Sequence, residues 1–241
     1  MARVLLLAGT GPARRLAVDL VEAGHQVTAS LAGATTMPDA YPCPTRTGGF
    51  GGAEGLADYL AAQEMAALID ATHPFATRIS ANARDAARRT GIPLLRLARP
   101  PWVPEPDETW IEVPDMEAAA RVIPTDARAF LATGRSSLEA FTARPDIWIA
   151  LRQIDPPDAP FPGHGEYIIA RPPFDIEAEA ALFASLGITH LVVKNAGGGP
   201  ARTKLTAAAR LGIPVIMVQR PDEGAFDDLE PNAILARLTR P

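Results

Sequence analysis

A short apolar segment, a glycine turn and an amphipathic helix open the chain, and this order limits the possible folds more than any other feature. Residues 3–8 form the apolar segment, Gly9-Thr10-Gly11-Pro12 the turn, and residues 13–23 show helical spacing up to Gly24. Pro12 suits a first helical position, because the N–H that proline lacks would have no partner there. A strand that feeds directly into a helix is typical of parallel sheets, so the pattern predicts an α/β fold.

The same order recurs along the whole chain. Further strands are predicted at 26–31, 66–70, 93–97, 128–132, 147–151, 167–170, 190–194 and 214–218, and further helices at 54–63, from Pro74 to Gly91, and at 176–186, 204–211 and 232–238. We therefore predict two Rossmann-like domains with parallel sheets, helices on both faces and an active-site cleft between the domains. Four prolines within residues 99–107 predict a stiff connection, which gives domains of 1–102 and 103–241.

Charge and composition argue against several classes of protein. A net charge of -5 is unlike that of nucleic-acid-binding proteins, which need a basic surface. No apolar segment reaches the ~18 residues that cross a bilayer, and the first apolar segment is too short for a signal peptide, so we expect a cytoplasmic protein without membrane contact. The single cysteine, Cys43, and four scattered histidines show no metal-ligand spacing, so no metal site is predicted.

The first glycine turn is a candidate nucleotide site. Gly9, Thr10 and Gly11 would let the backbone and a helix N-terminus approach a pyrophosphate, although an ordinary tight turn has the same pattern. Arg14 stands at the third glycine position of the dinucleotide fingerprint and offers a cation for a phosphate or carboxylate. No acidic residue follows the second strand, where Ser30-Leu31-Ala32-Gly33 stands. The usual partner of a free ribose 2′-hydroxyl is thus missing, which favours NADPH.

Two later turns are further candidates for cofactor binding. Gly48 and Gly49 lie in a glycine cluster before a predicted helix, although such loops also occur without a ligand. Thr133-Gly134-Arg135-Ser136 follows a predicted strand and offers amides, hydroxyls and a guanidinium to an anion. The alternative for this second turn is an ordinary helix N-cap.

His73 is the candidate catalytic residue. It lies in the segment Asp70–Ala76 at the carboxyl end of a predicted strand, and Pro74 is expected to start the next helix. An imidazole there could donate a hydrogen bond or a proton to a ligand, whereas the alternative is a capping histidine. Its neighbours Thr72 and Arg78 are predicted to contact the substrate.

A glycine-rich loop near residue 200 is the candidate anion-binding loop for the substrate. It contains both lysines among the 23 cationic residues of the chain. The loop lacks the spacing of a nucleoside-triphosphate-binding loop, so ATP hydrolysis is not indicated. The predicted substrate contacts in it are Lys194, Asn195, Gly197, Gly198, Arg202 and Lys204.

In combination, the motifs resemble the precorrin-6A reductase family over nearly the whole chain. The resemblance is carried by Asp70–Ala76 with Ile79-Ser80 and Asn82-Ala83, Gly91–Pro100 with Trp102, Thr133-Gly134-Arg135, Lys194–Gly198, and Lys204 to Val215. The chain differs from many members at Ala196, where a second hydroxyl residue is common. The resemblance implies NADPH-dependent reduction of the tetrapyrrole precorrin-6A to precorrin-6B, with hydride to carbon 19 and a proton to carbon 18. It also implies two Rossmann-like domains with strand exchange between them.

The residues agree with this implied chemistry. Hydride transfer needs no nucleophilic side chain, because the nicotinamide carries the reaction. A substrate with many carboxylates suits the predicted cations, which are Arg14, Arg78, Arg135, Arg202, Lys194 and Lys204. The alternatives are a cobalt-containing substrate, a two-lobed anion sensor without redox chemistry, and a nucleotide-sugar reductase or epimerase, although none of the three tyrosines begins a Tyr-x-x-x-Lys pair. A monomer is favoured.

Overall fold

The computed structural model describes residues 1–33, 39–199, 201–222 and 227–239. The chain divides into two compact units, of which unit 1 comprises Met1–Arg99 with Asp222–Pro241, and unit 2 comprises Pro100–Pro221. The predicted boundary near Trp102 lies close to this division. The predicted assignment of residues 222–241 to the second domain differs from it, because this segment completes the sheet and the core of unit 1.

The described helices and strands alternate in the predicted manner. In chain order they are β1 (Arg3–Leu7), α1 (Gly11–Glu22), β2 (Gln26–Leu31), β3 (Thr45–Thr47), α2 (Gly52–Ala62), β4 (Ala67–Asp70), α3 (Thr77–Thr90), β5 (Leu94–Leu97), β6 (Trp110–Val113), α4 (Met116–Val122), β7 (Arg128–Leu131), a 3-10 helix (Arg135–Phe141), β8 (Trp148–Gln153), β9 (Gly165–Ile169), α5 (Ile176–Ser185), β10 (His190–Lys194), α6 (Thr203–Arg210), β11 (Val215–Val218), β12 (Asp228–Leu229) and α7 (Pro231–Thr239). No helix among them is long and apolar enough to cross a membrane.

The apolar sequence of β1 is explained by its position inside unit 1. Successive side chains of a strand point to opposite faces of the sheet. Val4 and Leu6 accordingly join the core beside α1 and α7, whereas Leu5 and Leu7 join the core beside α2 and α3. Because helices cover both faces, every buried position of the strand has to be apolar.

Each unit contains a six-stranded parallel sheet with the same arrangement. The strand order is β12-β5-β4-β1-β2-β3 in unit 1 and β6-β11-β10-β7-β8-β9 in unit 2. Strands β1 to β5 of unit 1 and strands β7 to β11 of unit 2 each follow the Rossmann order 3-2-1-4-5. The sixth positions are exchanged along the chain, because β6 follows β5 but pairs with β11, and β12 follows β11 but pairs with β5. The predicted two-sheet Rossmann-like fold is therefore confirmed, and strand exchange is a feature of it.

Several short elements were not predicted, and two predicted helices differ from the structure in their start or type. The unpredicted elements are β3, β6, α4 and β12. The helix expected to start at Pro74 begins at Thr77, because residues 74 and 75 form a turn in which the Ala76 amide bonds to the His73 carbonyl. The helix expected after Gly134 is a 3-10 helix.

Candidate functional site

The first glycine turn presents backbone amides at the carboxyl edge of unit 1. Thr10 caps α1, since its Oγ1 accepts a hydrogen bond from the Ala13 amide at 3.2 Å. Gly9 has φ +99°, a conformation that favours glycine, and a Cβ there would meet no atom within 4 Å. Among the described residues, no acceptor lies within hydrogen-bonding reach of the Thr10 and Gly11 amides. These donors at a helix N-terminus suit a phosphate group.

Arg14, predicted to bind cofactor beside this turn, already has a carboxylate partner. Its guanidinium forms an ion pair with Asp39, and both side chains are partly exposed. The positive charge of Arg14 is thus largely balanced within the protein. The predicted contact between Arg14 and the cofactor stays a prediction, and in this structure the guanidinium is paired with Asp39.

The second glycine cluster is held by Arg46, a residue that the sequence analysis missed. Arg46 lies on β3 and donates to the carbonyl oxygens of Gly48 and Gly49, both at 2.9 Å, and to Ser30 Oγ at 2.8 Å. A Cβ on either glycine would meet open space, so the backbone here is accessible to a ligand. Arg46 is the only cationic residue between Arg15 and Arg78. In the sequence, this isolation and the absence of an acidic residue after β2 were the two features that could have pointed to Arg46.

The His73 segment lies beside the first turn because β4 pairs with β1. Thr10 Oγ1 donates to the Ala71 carbonyl at 2.9 Å, which links the two segments directly. His73 is half-buried, and its Nδ1 accepts a hydrogen bond from the Phe75 amide at 3.3 Å. An accepting Nδ1 places the proton of the neutral imidazole on Nε2.

A buried carboxylate fixes the conformation of this segment. Asp70 accepts hydrogen bonds from the Thr72 amide at 3.1 Å, from Thr72 Oγ1 at 2.6 Å and from Ser80 Oγ at 2.6 Å. Ser80 belongs to α3, so the end of β4 is tied to the following helix. The hydroxyl proton of Thr72 is directed to Asp70, which leaves the Thr72 oxygen as an acceptor for a ligand. The predicted cation Arg78 is exposed on the first turn of α3 and has no ion-pair partner in the described part of the chain.

The turn after β7 is held by internal hydrogen bonds that the sequence did not predict. Thr133 is buried and its hydroxyl bonds to that of Ser137, which in turn donates to the Gly134 carbonyl at 2.7 Å. Gly134, Arg135 and Ser136 are exposed. The helix that follows is a short 3-10 helix, so its N-terminus offers less dipole than the predicted α-helix. Arg135 has no ion-pair partner within the described residues.

Lys194 connects this turn to the glycine-rich loop of unit 2. Its Nζ donates to the Thr133 carbonyl at 3.0 Å, across the neighbouring strands β7 and β10. Burial lowers the pKa of the Lys194 ammonium, because removing water disfavours the charged form. The predicted residues Thr133 and Lys194 are therefore brought together at the carboxyl edge of this sheet.

The start of the glycine-rich loop is clamped by Trp102 and Arg220. The side-chain amide of Asn195 forms two hydrogen bonds with the backbone of Trp102. Its oxygen accepts from the Trp102 N–H at 2.8 Å, and its nitrogen donates to the Trp102 carbonyl at 3.0 Å. The Trp102 indole donates to the Gly198 carbonyl at 2.8 Å, and Arg220 Nε donates to the Asn195 carbonyl at 2.8 Å. Gly197 has φ +71°, and a Cβ there would collide with the Pro100 carbonyl. Asn195 and Gly197, predicted as substrate contacts, thus have a structural explanation as loop supports.

Two predicted substrate cations of this loop have internal partners. Arg202 pairs with Glu108 at 2.8 Å and Glu105 at 3.1 Å, and its side chain is only 19% exposed. Lys204 donates to the Ala201 carbonyl and lies 5.5 Å from the Trp102 ring centroid. Their role as substrate contacts stays a prediction. The pairing of Arg202 with carboxylates about a hundred positions away could not be read from any local pattern in the sequence.

A buried ion pair lies next to Lys204. Arg152 and Glu179 form two hydrogen bonds, at 2.7 and 3.0 Å, and both side chains are almost fully buried. Desolvation, reinforced by repulsion from Arg152, lowers the pKa of Lys204 to about 8, and attraction to Glu179 opposes this shift. The described residues contain no group of three side chains that could hold a metal ion.

Comparisons with known proteins identify the family. The profile of the family described as precorrin-6x reductase CbiJ/CobK matches residues 3–237. The precorrin-6A reductase of Rhodobacter capsulatus is 46% identical over 94% of this chain and 91% of its own length. A cobalt-precorrin-6A reductase of Priestia megaterium is 31% identical over 90% of both chains. A solved structure of CobK precorrin-6A reductase has a TM-score of 0.95 and 44% identity, covering 99% of this chain and 96% of that one. The chain therefore belongs to the precorrin-6x reductase family of oxidoreductases.

Proposed function

We propose that this protein reduces precorrin-6A to precorrin-6B in cobalamin biosynthesis, with NADPH as the hydride donor. Hydride would be added to carbon 19 of the macrocycle and a proton to carbon 18. The observation that carries the proposal is the full-length similarity to precorrin-6A reductases, together with glycine turns at the carboxyl edges of two Rossmann-like sheets. A cytoplasmic monomer is expected from the sequence.

The residues of unit 1 suit the nucleotide. The Thr10 and Gly11 amides would bind its pyrophosphate, and the open backbone at Gly9, Gly48 and Gly49 leaves room for close approach. When bound, NADPH supplies the hydride, so the protein has to bind and orient rather than attack. Arg14, beside this turn, would contact the cofactor while paired with Asp39, which balances its charge.

The residues of unit 2 suit a substrate with carboxylates. Lys194 and Arg135 lie at the same sheet edge as Gly198, and Arg78 adds a cation on unit 1. Arginine binds a carboxylate through two parallel hydrogen bonds, which fixes orientation as well as charge. Thr133, Gly134 and Ser136 would support this anion site, and the active-site cleft between the domains stays a prediction.

His73 is proposed as the proton donor to carbon 18. The proton would leave from Nε2 of the doubly protonated ring, because the N–H of a neutral imidazole is too weak an acid, and in that form Nδ1 no longer accepts from the Phe75 amide. An ordered water is the alternative donor. The Asp70 contacts hold the segment in one conformation, which keeps the donor in place. A histidine is also well suited to give up a proton near neutral pH.

The metal-free substrate is favoured over the cobalt-containing one. Curated relatives named precorrin-6A reductase are 44–47% identical to this chain, whereas those named cobalt-precorrin-6A reductase are 28–31% identical. Since these ranges do not overlap, we assign the metal-free compound as the preferred substrate.

The deciding experiment measures NADPH absorbance at about 340 nm during anaerobic incubation with precorrin-6A. We expect one NADPH to be consumed for each precorrin-6B formed, with slower turnover of the cobalt-containing substrate. An anion sensor without redox chemistry would bind the macrocycle and leave NADPH unconsumed. Stoichiometric NADPH oxidation with a different macrocycle, but none with precorrin-6A, would also contradict the proposal.

A further inference from the structure

Arg46 occupies the position in unit 1 from which a dinucleotide-binding sheet distinguishes its two cofactors. In such sheets the adenosine ribose lies beyond the end of the second strand, where an acidic side chain binds a free 2′-hydroxyl. In this chain Ser30 lies near the end of β2, and its register partner on β3 is Arg46. The Ala8 amide donates to the Ser30 carbonyl at 2.9 Å, so this position directly adjoins the first glycine turn.

Hydrogen bonds with described residues fix the guanidinium of Arg46 but do not occupy all of its N–H donors. Nη1 donates to Ser30 Oγ and the Gly48 carbonyl, and Nη2 donates to the Gly49 carbonyl. Arginine has five N–H groups, so Nε and one hydrogen of Nη2 have no acceptor among the described residues. One face of the guanidinium stacks on Phe50, with Cζ 3.8 Å from the ring centroid. The side chain is thereby held in one orientation before any ligand binds.

Among the described residues, the charge of Arg46 also has no carboxylate partner. Arg14, Arg96 and Arg202 each form an ion pair with a carboxylate, whereas Arg46 forms none with the described residues. Its acceptors are two neutral carbonyls and a hydroxyl, and the side chain is partly exposed. A preoriented, partly exposed cation with unused donors suits a phosphate monoester.

We infer that Arg46, with Ser30, binds the 2′-phosphate of NADP(H) and determines the preference of this protein for NADPH over NADH. The inference rests on the proposed function, because it assumes that the Gly9 turn binds the pyrophosphate. It assigns the selection of the cofactor to β2 and β3 and not to Arg14.

The test is the affinity of the full-length protein and its Arg46→Met variant for NADP⁺ and NAD⁺, measured by calorimetry without macrocycle. Charge-assisted hydrogen bonds are worth about 1.5–3 kcal/mol, which corresponds to a loss of about 10- to 150-fold. We expect Arg46→Met to weaken NADP⁺ binding by that factor and NAD⁺ binding by less than about threefold. The affinity of Arg46→Lys for NADP⁺ should lie between those of the unaltered protein and Arg46→Met, because lysine keeps the positive charge but lacks the paired N–H groups of the guanidinium.

Arg88→Met is the matched control, because Arg88 is an exposed arginine of the same unit, paired with Asp85 on α3. It should change neither affinity. An equal loss of both dinucleotides in Arg46→Met would show that the arginine only supports the loop, and an unchanged preference would also overturn the inference.

The outcomes separate this inference from the proposed function. If the unaltered protein prefers NADP⁺ and Arg46→Met abolishes the preference, the inference holds even when precorrin-6A is not reduced. If precorrin-6A is reduced with NADPH while Arg46→Met keeps its preference, only the inference fails. If the unaltered protein binds neither dinucleotide, both fail.

Discussion

At the scale of single residues, the proton donor is the role most open to a direct test. His73→Ala should lower kcat with precorrin-6A by about 10²- to 10⁴-fold, the usual contribution of a positioned acid. His73→Gln should preserve KM better than kcat, because its amide can donate a hydrogen bond but cannot transfer a proton. Steady-state rates across pH would show the loss of the limb that belongs to histidine ionisation.

His164→Ala is the control for this prediction, since His164 is exposed on unit 2 and its side chain has no hydrogen-bond partner among the described residues. Its rate and pH profile should match those of the unaltered protein. If His73→Ala retained both the rate and the profile, the proton would have to come from another group or from water.

Residue roles were predictable where backbone conformation decides them and not where a distant partner does. Gly9 and Gly48 have positive φ, as turns after strands require, and could be selected by their spacing. Arg202 pairs with Glu108, and Arg46 donates to backbone carbonyls. Both arrangements depend on the folded structure and leave no local pattern in the sequence. Counting cations therefore did not reveal which of them pair with carboxylates in the folded protein.

At the scale of elements, the packing of β8, α5 and α6 places three charges together in unit 2. These charges are Arg152 on β8, Glu179 on α5 and Lys204 on α6, and their sum is +1. The folded-state pKa of Lys204 is about 8, below the ordinary lysine value of 10.5. Below pH 8 the lysine is charged in both states, and its burial destabilises the fold. Between pH 8 and 10.5 the unfolded chain binds more protons, so the free energy of unfolding should rise with pH.

Lys204→Met should remove this dependence. The difference in the free energy of unfolding between the variant and the unaltered protein should favour the variant by roughly 1–3 kcal/mol near pH 7 and shrink towards pH 10. Urea unfolding at several pH values measures it. Arg121→Met, an exposed change on α4, should give a difference that does not depend on pH. A constant offset for Lys204→Met would show that its ammonium is not desolvated.

Long elements followed from periodicity, and short ones did not. The bounds of β2 and β10 agree with prediction, because each is a continuous run of strand-forming residues between turn residues. β12 has two residues, and Ile111 of β6 is exposed, so neither segment has the apolar alternation that marks a strand. Both lie at the edges of their sheets, where one neighbouring strand suffices.

At the scale of the whole molecule, the exchange of sixth strands makes unit 1 dependent on a segment more than a hundred residues away. The periodicity of the sequence predicted two similar sheets, but the exchange came only from the family resemblance, because strand pairing across the chain leaves no local pattern. β12 bonds to the edge of β5, with the Ala98 amide donating to the Leu229 carbonyl at 2.8 Å. Ile234 of α7 is fully buried in the core of unit 1.

Residues 1–99 alone should therefore be much less stable than the same residues joined by a glycine-rich linker to 222–241. Removing a buried isoleucine side chain costs about 2–5 kcal/mol, and the missing strand adds to that loss. Urea unfolding of the two proteins, followed by circular dichroism, measures the difference. The joined protein with Ile234→Asp is the matched control, because it keeps the chain length but places a carboxylate in the core, and it should resemble 1–99. Equal stability of all three proteins would mean that β12 and α7 pack onto unit 1 without stabilising it. The exchanged strand would then be a consequence of chain connectivity and not a requirement for folding.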